Sequence, residues 1–471
     1  MDYKSIGFKC GLEVHRQLST KKLFCDCPSL VNDPNEADIH FIRKLRASRG
    51  ESGKFDLAAE FEEQKDKYFI YEAASTSSCL VEMDEQPPKK VNEEALKIAL
   101  QVAKLLNCEI IDQIQFMRKT VIDGSNTSGF QRTALIGMDG FIETSKGRVG
   151  ISTLCLEEEA AKKIEEHDEY VKYRLDRLGV PLLEIATDAK IKDPEHAKEV
   201  AAQIGMIVKS TGKAKSGIGS VRQDVNLSIK GSPRVEIKGF QELRQIPLVI
   251  SKEVMRLQKE ISSGNKLEPQ VRRANIDGST DYSRPMPGEA RMYPETDVET
   301  ITVTEKMLES TEVPELISEK VIKLEKEYGL STQLARKATE NPNFTEFVKE
   351  FNKVDPKTIA SALIEIPKDA KKRLNVTVKD FHVREVLLLV QKKEISMNSI
   401  KEAVIDYAKD GKLSPERYKE VSDERIREEV KKILGEQKEP TIGSVMGALM
   451  EKFRGRVSGE KASKIVRELI G

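Results

Sequence analysis

Near the start of the chain, apolar and polar residues alternate one for one. Phe8, Cys10, Leu12 and Val14 interleave with Lys9, Gly11, Glu13 and His15. A period of two predicts a strand, because successive strand side chains point to opposite faces. Glu13 and His15 therefore share a face, roughly 7 Å apart, opposite an apolar set. A strand with one wet side gives the same alternation, so the pattern fixes the element and leaves its polar face open. The alternation returns in "VRQDVNLSI", where Val221, Gln223, Val225, Leu227 and Ile229 oppose Arg222, Asp224, Asn226 and Ser228. "KGSP" supplies a turn, and "RVEIKGF" follows with Val235 and Ile237 on one side and Arg234, Glu236 and Lys238 on the other. This predicts a hairpin with a polar face of both charge signs. Such a face is either solvated or a floor for a zwitterionic or phosphorylated ligand, with Arg and Lys on phosphate and the acids on amines or a metal.

Other stretches have a helical period. In "VNEEALKIALQVAKLLN", Ala95, Ile98, Ala99, Val102, Leu105 and Leu106 form one stripe behind an Asn92 N-cap. "DPEHAKEVAAQI" opens with Asp193 as cap and Pro194 at the first helical position. After about residue 300 the strand signals fade. Helix starts recur at Asp355-Pro356 and Ser414-Pro415, with Pro314 and Pro342 marking further starts or breaks. The organisation expected is a mixed α/β region over 1–300, a helical domain over 301–410 and a smaller helical unit over 411–471.

Two acids break this pattern. "RVGISTLCLEEEAAKKI" reads as a strand running into a helix, with Glu157 near the junction. "GVPLLEIATD" places Glu184 inside an apolar strand, where a carboxylate needs an Arg partner or a metal. "RKTVIDGSNTSGFQRT" is a Gly-, Ser-, Asn- and Thr-dense loop between Arg118, Lys119 and Arg132 that could cradle phosphate, and "KSGIGSVRQD" is a second Gly-containing loop. Ordinary turns have the same composition, and no P-loop motif is present.

Composition narrows the setting. Lys+Arg and Asp+Glu both number 78 in 471 residues, so no global basic field points to nucleic acid. The start "MDYKSIGFKC" lacks an apolar stretch and no run reaches the ~18 residues of a membrane span, so a reducing cytoplasm is expected for the six cysteines. Cys25 and Cys27 form a C-x-C, with Cys79 as a third thiol. Lack of a second pair disfavours a closed zinc site.

Taken in order, "GLEVHRQLSTKKLFCDCPS", "SSCLVEMDEQPP", "RKTVIDGSNTSGFQRT", "TLCLEEEAAKKI", "RLGVPLLEIATD", "GIGSVRQDVNLSI", "VEIKGFQEL" and "RPMPGEARMYPETDV" resemble the GatB/GatE family of glutamyl-tRNA(Gln) amidotransferase subunits, its archaeal E type in particular. The end, "GSVMGALMEKFRGRVSG", is similar to the family's YqeY-like tail, so the resemblance covers almost the whole chain. One departure is large. Members of the E type carry an aspartyl-tRNA-synthetase-like insertion after the segment matching "QELRQIPLVISKEVMRLQ", and here only "KEISSGNKLEPQVRR" follows before "ANIDGSTDYSRPMPGEARMYPETD".

The resemblance implies an α+β fold: a mixed-sheet "cradle" catalytic domain, then an all-α domain and a small all-α tail. It implies ATP-dependent conversion of Glu-tRNA(Gln) to Gln-tRNA(Gln) through a γ-glutamyl phosphate, with ammonia from an asparaginase-like D-type partner (GatD) in a heterotetramer. A B-type subunit, or a tRNA-binding module without catalysis, are the competing readings. By the same resemblance Glu13, His15, Arg222, Asp224 and Lys238 would be catalytic. Arg118, Lys119, Ser125, Asn126, Asn226 and Glu236 would touch ATP or substrate. His15, Glu157 and Glu184 would hold Mg²⁺, or Mn²⁺ given the imidazole. From Thr441 to Gly471 basic residues outnumber acidic ones, and Lys452, Arg454 and Arg456 would contact tRNA phosphates.

Overall fold

The structure, a computed structural model, describes residues 1–30, 33, 35–50, 53–217, 219–240, 242–288, 291–437, 440–453 and 455–470. Arg454 lies outside the described residues. Two compact units divide the chain, Met1–Leu316 and Ile317–Gly471.

In the first unit the alternating start becomes the strand Lys9–Gln17, with Cys10, Leu12 and Val14 buried. It lies in the middle of a large mixed sheet. One flank is Pro181–Thr187, then Gly147–Glu158, Phe130–Thr144, Phe116–Thr120 and Met292–Pro294. The other flank is Val221–Ser228, Val235–Phe240, Gln270–Ala274 and Thr280–Pro285. Val221–Ser228 and Val235–Phe240 pair antiparallel, as the alternation predicts. The apolar face packs against the helices Glu93–Leu105, Pro194–Ser210 and Gln245–Ser262 in one core. The first two helices start where their caps predict: Asn92 Oδ1 accepts from the Ala95 amide at 3.1 Å, and Asp193 Oδ1 from the His196 amide at 3.0 Å.

A smaller sheet, Ile39–Arg43, Tyr68–Ala73, Tyr170–Arg174 and Lys162–Glu166, has a core of its own. Its tyrosines anchor the Gly-rich loop: Tyr71 donates to the Gly124 carbonyl and Tyr173 to the Asp123 carbonyl, both at 2.8 Å. Gly124 has φ +87°, and a Cβ there would lie 2.1 Å from Phe69, so only glycine fits.

The helix expected after Glu157 does not form. The strand Gly147–Glu158 breaks over residues 159–161 and a second strand, Lys162–Glu166, follows. Distant groups take the backbone of the break. Glu159 exchanges hydrogen bonds with residues 179 and 180, and Ala161 donates to the Ser125 carbonyl. Arg177 donates to the carbonyls of Ala160 and Ala161. With its donors and acceptors engaged elsewhere, the segment cannot close i→i+4 bonds.

The first unit runs on past residue 300 because Ile301–Thr302 pairs with Gln113–Ile114 and a short helix, Glu305–Glu309, follows. The second unit is all helical and has two cores. One spans Val321 to Tyr418 and the other Val421 to Val466. No helix among the described residues is long and apolar enough to cross a membrane.

Candidate active site

Strand register collects the acids. His15 stands opposite Glu184 on one side and Arg222 on the other, and Glu13 opposite Asp224. Asn226 stands opposite Glu236, and Glu157 lies in the strand that pairs with the one bearing Glu184. Pleating then turns these side chains onto the face away from the helices. The contacts follow. His15 Nε2 is 3.1 Å from Glu184 Oε2, and Lys119 Nζ lies 3.2 Å from Glu157 and 3.5 Å from Glu184. Asn226 donates to Glu13 at 2.9 Å. Lys238 bridges Asp224 at 2.8 Å and Glu236 at 2.5 Å. Arg222 meets the buried Glu159 at 2.9 Å, and Gln17 donates to that same carboxylate.

Burial and neighbouring charge set the protonation. Burial, then the Glu184 charge, push Glu157 up to about 7. Burial also works against an ionised Glu184, but Lys119 and His15 outweigh it and hold Glu184 well below the usual carboxylate range. The pair thus keeps one proton near neutrality, on Glu157. Burial disfavours the imidazolium of His15, yet the hydrogen bond and charge of Glu184 raise it above its ordinary value. Burial and the Glu184 charge raise Glu13. Asp224 is lowered despite burial, chiefly by Lys238.

The donor sets can be tested for a cation. Glu13, His15 and Asp224 have ligand atoms within 4.8 Å of one another. Glu13 and Asp224 each spend one oxygen on Asn226 or Lys238, and the buried His15 Nδ1 has no partner among the described residues. Two carboxylate oxygens and an imidazole nitrogen suit Mg²⁺ less than Mn²⁺, and they fit a divalent ion. Glu184 meets His15 and lies beside Glu157, but the Lys119 ammonium contacts both carboxylates.

The other expected contacts lie apart from this floor's free groups. Arg118 is taken by Glu295 at 2.6 Å and Asp297 at 3.0 Å. The Ser125 hydroxyl donates to Asp123 at 2.6 Å, and Asn126 is buried in its loop. In the helical unit Lys452 pairs with Glu429, and Arg456 donates to the Lys419 carbonyl.

The three thiols Cys25, Cys27 and Cys79 named from the sequence meet in a second donor cluster whose fourth member, Glu82, sequence reading misses. Cys25, Cys27, Cys79 and Glu82 bring ligand atoms within 4.8 Å of each other. Cys25 donates to Glu82 at 2.9 Å, the Cys79 amide donates to its other oxygen, and the fully buried Lys22 lies 3.8 Å away. A hydrogen bond from Cys25 leads the causes that bring Cys27 down to about 7. Three sulfurs and a carboxylate form a zinc-type donor set. Its signal in the sequence is Glu82, three residues after Cys79, which takes the place of the fourth cysteine that paired motifs supply.

This fold and floor define an α+β protein with a polar site on one face of a large mixed sheet and a helical unit after it in the chain. The chain belongs to the GatB/GatE family: residues 8–309 match the GatB/GatE catalytic domain and residues 343–470 the GatB domain. Among curated relatives, the E-type glutamyl-tRNA(Gln) amidotransferase subunit of Archaeoglobus fulgidus is 35% identical, covering 100% of this chain and 99% of its own. The E-type subunits of Methanocaldococcus jannaschii (34%, covering 99% of both chains) and Thermococcus gammatolerans (35%, 100% and 99%) are similar. These alignments run over 611 to 627 positions against 471 residues here, so each relative carries a long stretch with no counterpart in this chain.

Proposed function

We propose that this chain catalyses ATP-dependent transamidation of glutamate carried on tRNA(Gln), giving glutaminyl-tRNA(Gln). The observation that carries the reading is the continuous floor of Glu13, His15, Glu184, Glu157, Asp224 and Lys238, flanked by Lys119 and Arg222. The names of the relatives supply the substrate. In the first step the glutamyl carboxylate attacks the terminal phosphorus of ATP and ADP leaves, giving a γ-glutamyl phosphate. Ammonia then adds to the acyl carbon, phosphate departs with the C–O electron pair, and nitrogen sheds a proton. Such steps need positioned charge more than covalent help.

The side chains divide the work. Lys238 and Arg222 face phosphate oxygens, and Asn226 and Glu236 orient the glutamyl group. Glu184, kept ionised by Lys119 and His15, holds fixed negative charge beside the reacting groups. Glu13, His15 and Asp224 would hold Mg²⁺ or Mn²⁺ with least rearrangement. Glu157 and Glu184 would join them once Lys119 moved aside. The ion's contribution is neutralisation of phosphate charge. Ammonia would come from an asparaginase-like D-type partner in a heterotetramer, and copurification of that partner tests the E-type assignment against the B type.

Free ammonium, ATP, Mg²⁺ and glutamyl-tRNA(Gln) are the test of catalysis. Glutaminyl-tRNA should form without any partner. His15→Ala or Glu184→Ala should abolish it while tRNA binding persists. Bound tRNA with no product from the wild-type chain would leave only a binding module.

A further inference from the structure

Arg284 in the strand Thr280–Pro285 and Arg291 just before the strand Met292–Pro294 are two arginines that the floor does not use. Arg284 and Arg291 are half-buried, and neither has a hydrogen-bond or ion-pair partner among the described residues. Both line a small cavity of about 60 Å³ with Thr120, beside the loop that follows Lys119. Thr120 is 5% exposed, and its hydroxyl is buried without a partner among the described residues. Asp56, Glu62 and Asp123 also reach the cavity wall, but each is already engaged. Asp56 accepts from the amides of Ala59 and Gly288, Glu62 pairs with Lys65, and Asp123 accepts from the Ser125 amide and hydroxyl. The Asp56–Gly288 bond, at 2.8 Å, ties Gly288 to the N-cap of the helix Leu57–Glu63.

Two half-buried guanidiniums without an ion-pair partner and a buried hydroxyl without a hydrogen-bond partner leave donors unused on a wall they share with three carboxylates. The space exceeds that of one water and suits a single tetrahedral oxyanion. Location adds to this: Lys119 precedes Thr120, Met292 pairs with Lys119 in the sheet, and the Arg291 charge acts on the Lys119 ammonium.

We propose that Arg284, Arg291 and Thr120 form a binding site for one phosphate group, next to the Lys119–Glu157–Glu184 cluster. The group comes either from the nucleotide or from the acceptor end of the RNA. The site deepens the transamidation reading and rests on it for the identity of these two sources.

The test uses the full chain and two probes, ATP and uncharged tRNA, with affinities measured for the wild type, Arg284→Gln and Arg291→Gln. Loss of one charged contact should weaken the affected probe by about tenfold or more. Weakening for ATP alone assigns the nucleotide phosphate, and weakening for tRNA alone assigns the RNA phosphate. Thr120→Val should weaken the same probe. Arginine-to-lysine variants replace the glutamine ones if those fail to fold, and should retain part of the affinity. Unchanged affinity for both probes in folded variants overturns the site. If a wild-type chain that makes no glutaminyl-tRNA still loses ATP affinity on Arg291→Gln, the site stands and the transamidation reading falls. If the wild type transamidates and neither affinity moves, the site falls alone.

Discussion

Lys119 is buried with its ammonium against two carboxylates that touch each other, so three groups share one proton balance. Glu157 is pushed up to about 7 from an ordinary 4.5. Between those values the folded state binds more protons than the unfolded one, so this group's contribution to stability is present at pH 4.5 and is lost as pH rises through 7. The loss is on the order of 3 kcal/mol. Glu157→Gln should therefore flatten the fall in urea midpoint between pH 5 and pH 8 relative to the wild type; equal slopes would refute the shared proton. Lys119→Met should lower activity more than any single floor cation, read as kcat for glutaminyl-tRNA formation, because it leaves Glu157 without a counterion and Glu184 with His15 alone. The sequence marks Glu184 as anomalous inside "PLLEIA" and leaves open whether an Arg or a metal answers it. His15 and Lys119 both lie against it, and no sequence pattern points to Lys119 because two other strands separate its own from that of Glu184. Spacing along the chain carries no information about such a contact.

At the scale of elements, the period-two and period-3.6 signals are legible because each is set locally. The first strand, the hairpin and the two capped helices all follow from side chains within a few positions of one another. The stretch after Glu157 departs from its expected helix because a helical composition there is overruled by hydrogen bonds from residues 125, 177, 179 and 180. The Gly-rich loop belongs to the same class. The Ser125 and Ser128 hydroxyls bond within the loop, Thr127 ties it to the Glu82 carbonyl, and its shape depends on Tyr71, Tyr173 and the Phe69 ring. Gly124→Ala should destabilise the first unit by on the order of 3 kcal/mol, since the new methyl meets a packed ring in a left-handed conformation. Tyr71→Phe should cost about 1–3 kcal/mol by orphaning a buried carbonyl. Thermal unfolding followed by near-UV circular dichroism checks both.

On the scale of the whole molecule, cores define what can be removed. Tyr418 packs in the first helical core and Val421 in the second. Truncation after Pro440 would strip Val445, Leu449, Val457 and Val466 from beneath Ile426, Val430 and Ile433. That variant should lose helix beyond the residues deleted, whereas one ending at Lys419 should keep the first core intact by far-UV circular dichroism. Only the second truncation is a clean probe of whether the tail holds RNA. If it does, the shorter chain should bind tRNA more weakly and with a shallower salt dependence.

The first strand has partners at Pro181–Thr187 and Val221–Ser228, far along the chain. During synthesis at about 5–20 residues per second, Cys10, Leu12 and Val14 would leave the ribosome roughly 10–40 s before both neighbours exist. Until Pro181–Thr187 emerges the first strand has no partner, and until Val221–Ser228 follows one of its edges stays open. Cells making this protein must shelter its beginning until its middle arrives, and a ribosome stalled before residue 221 would release an aggregation seed rather than a weak enzyme.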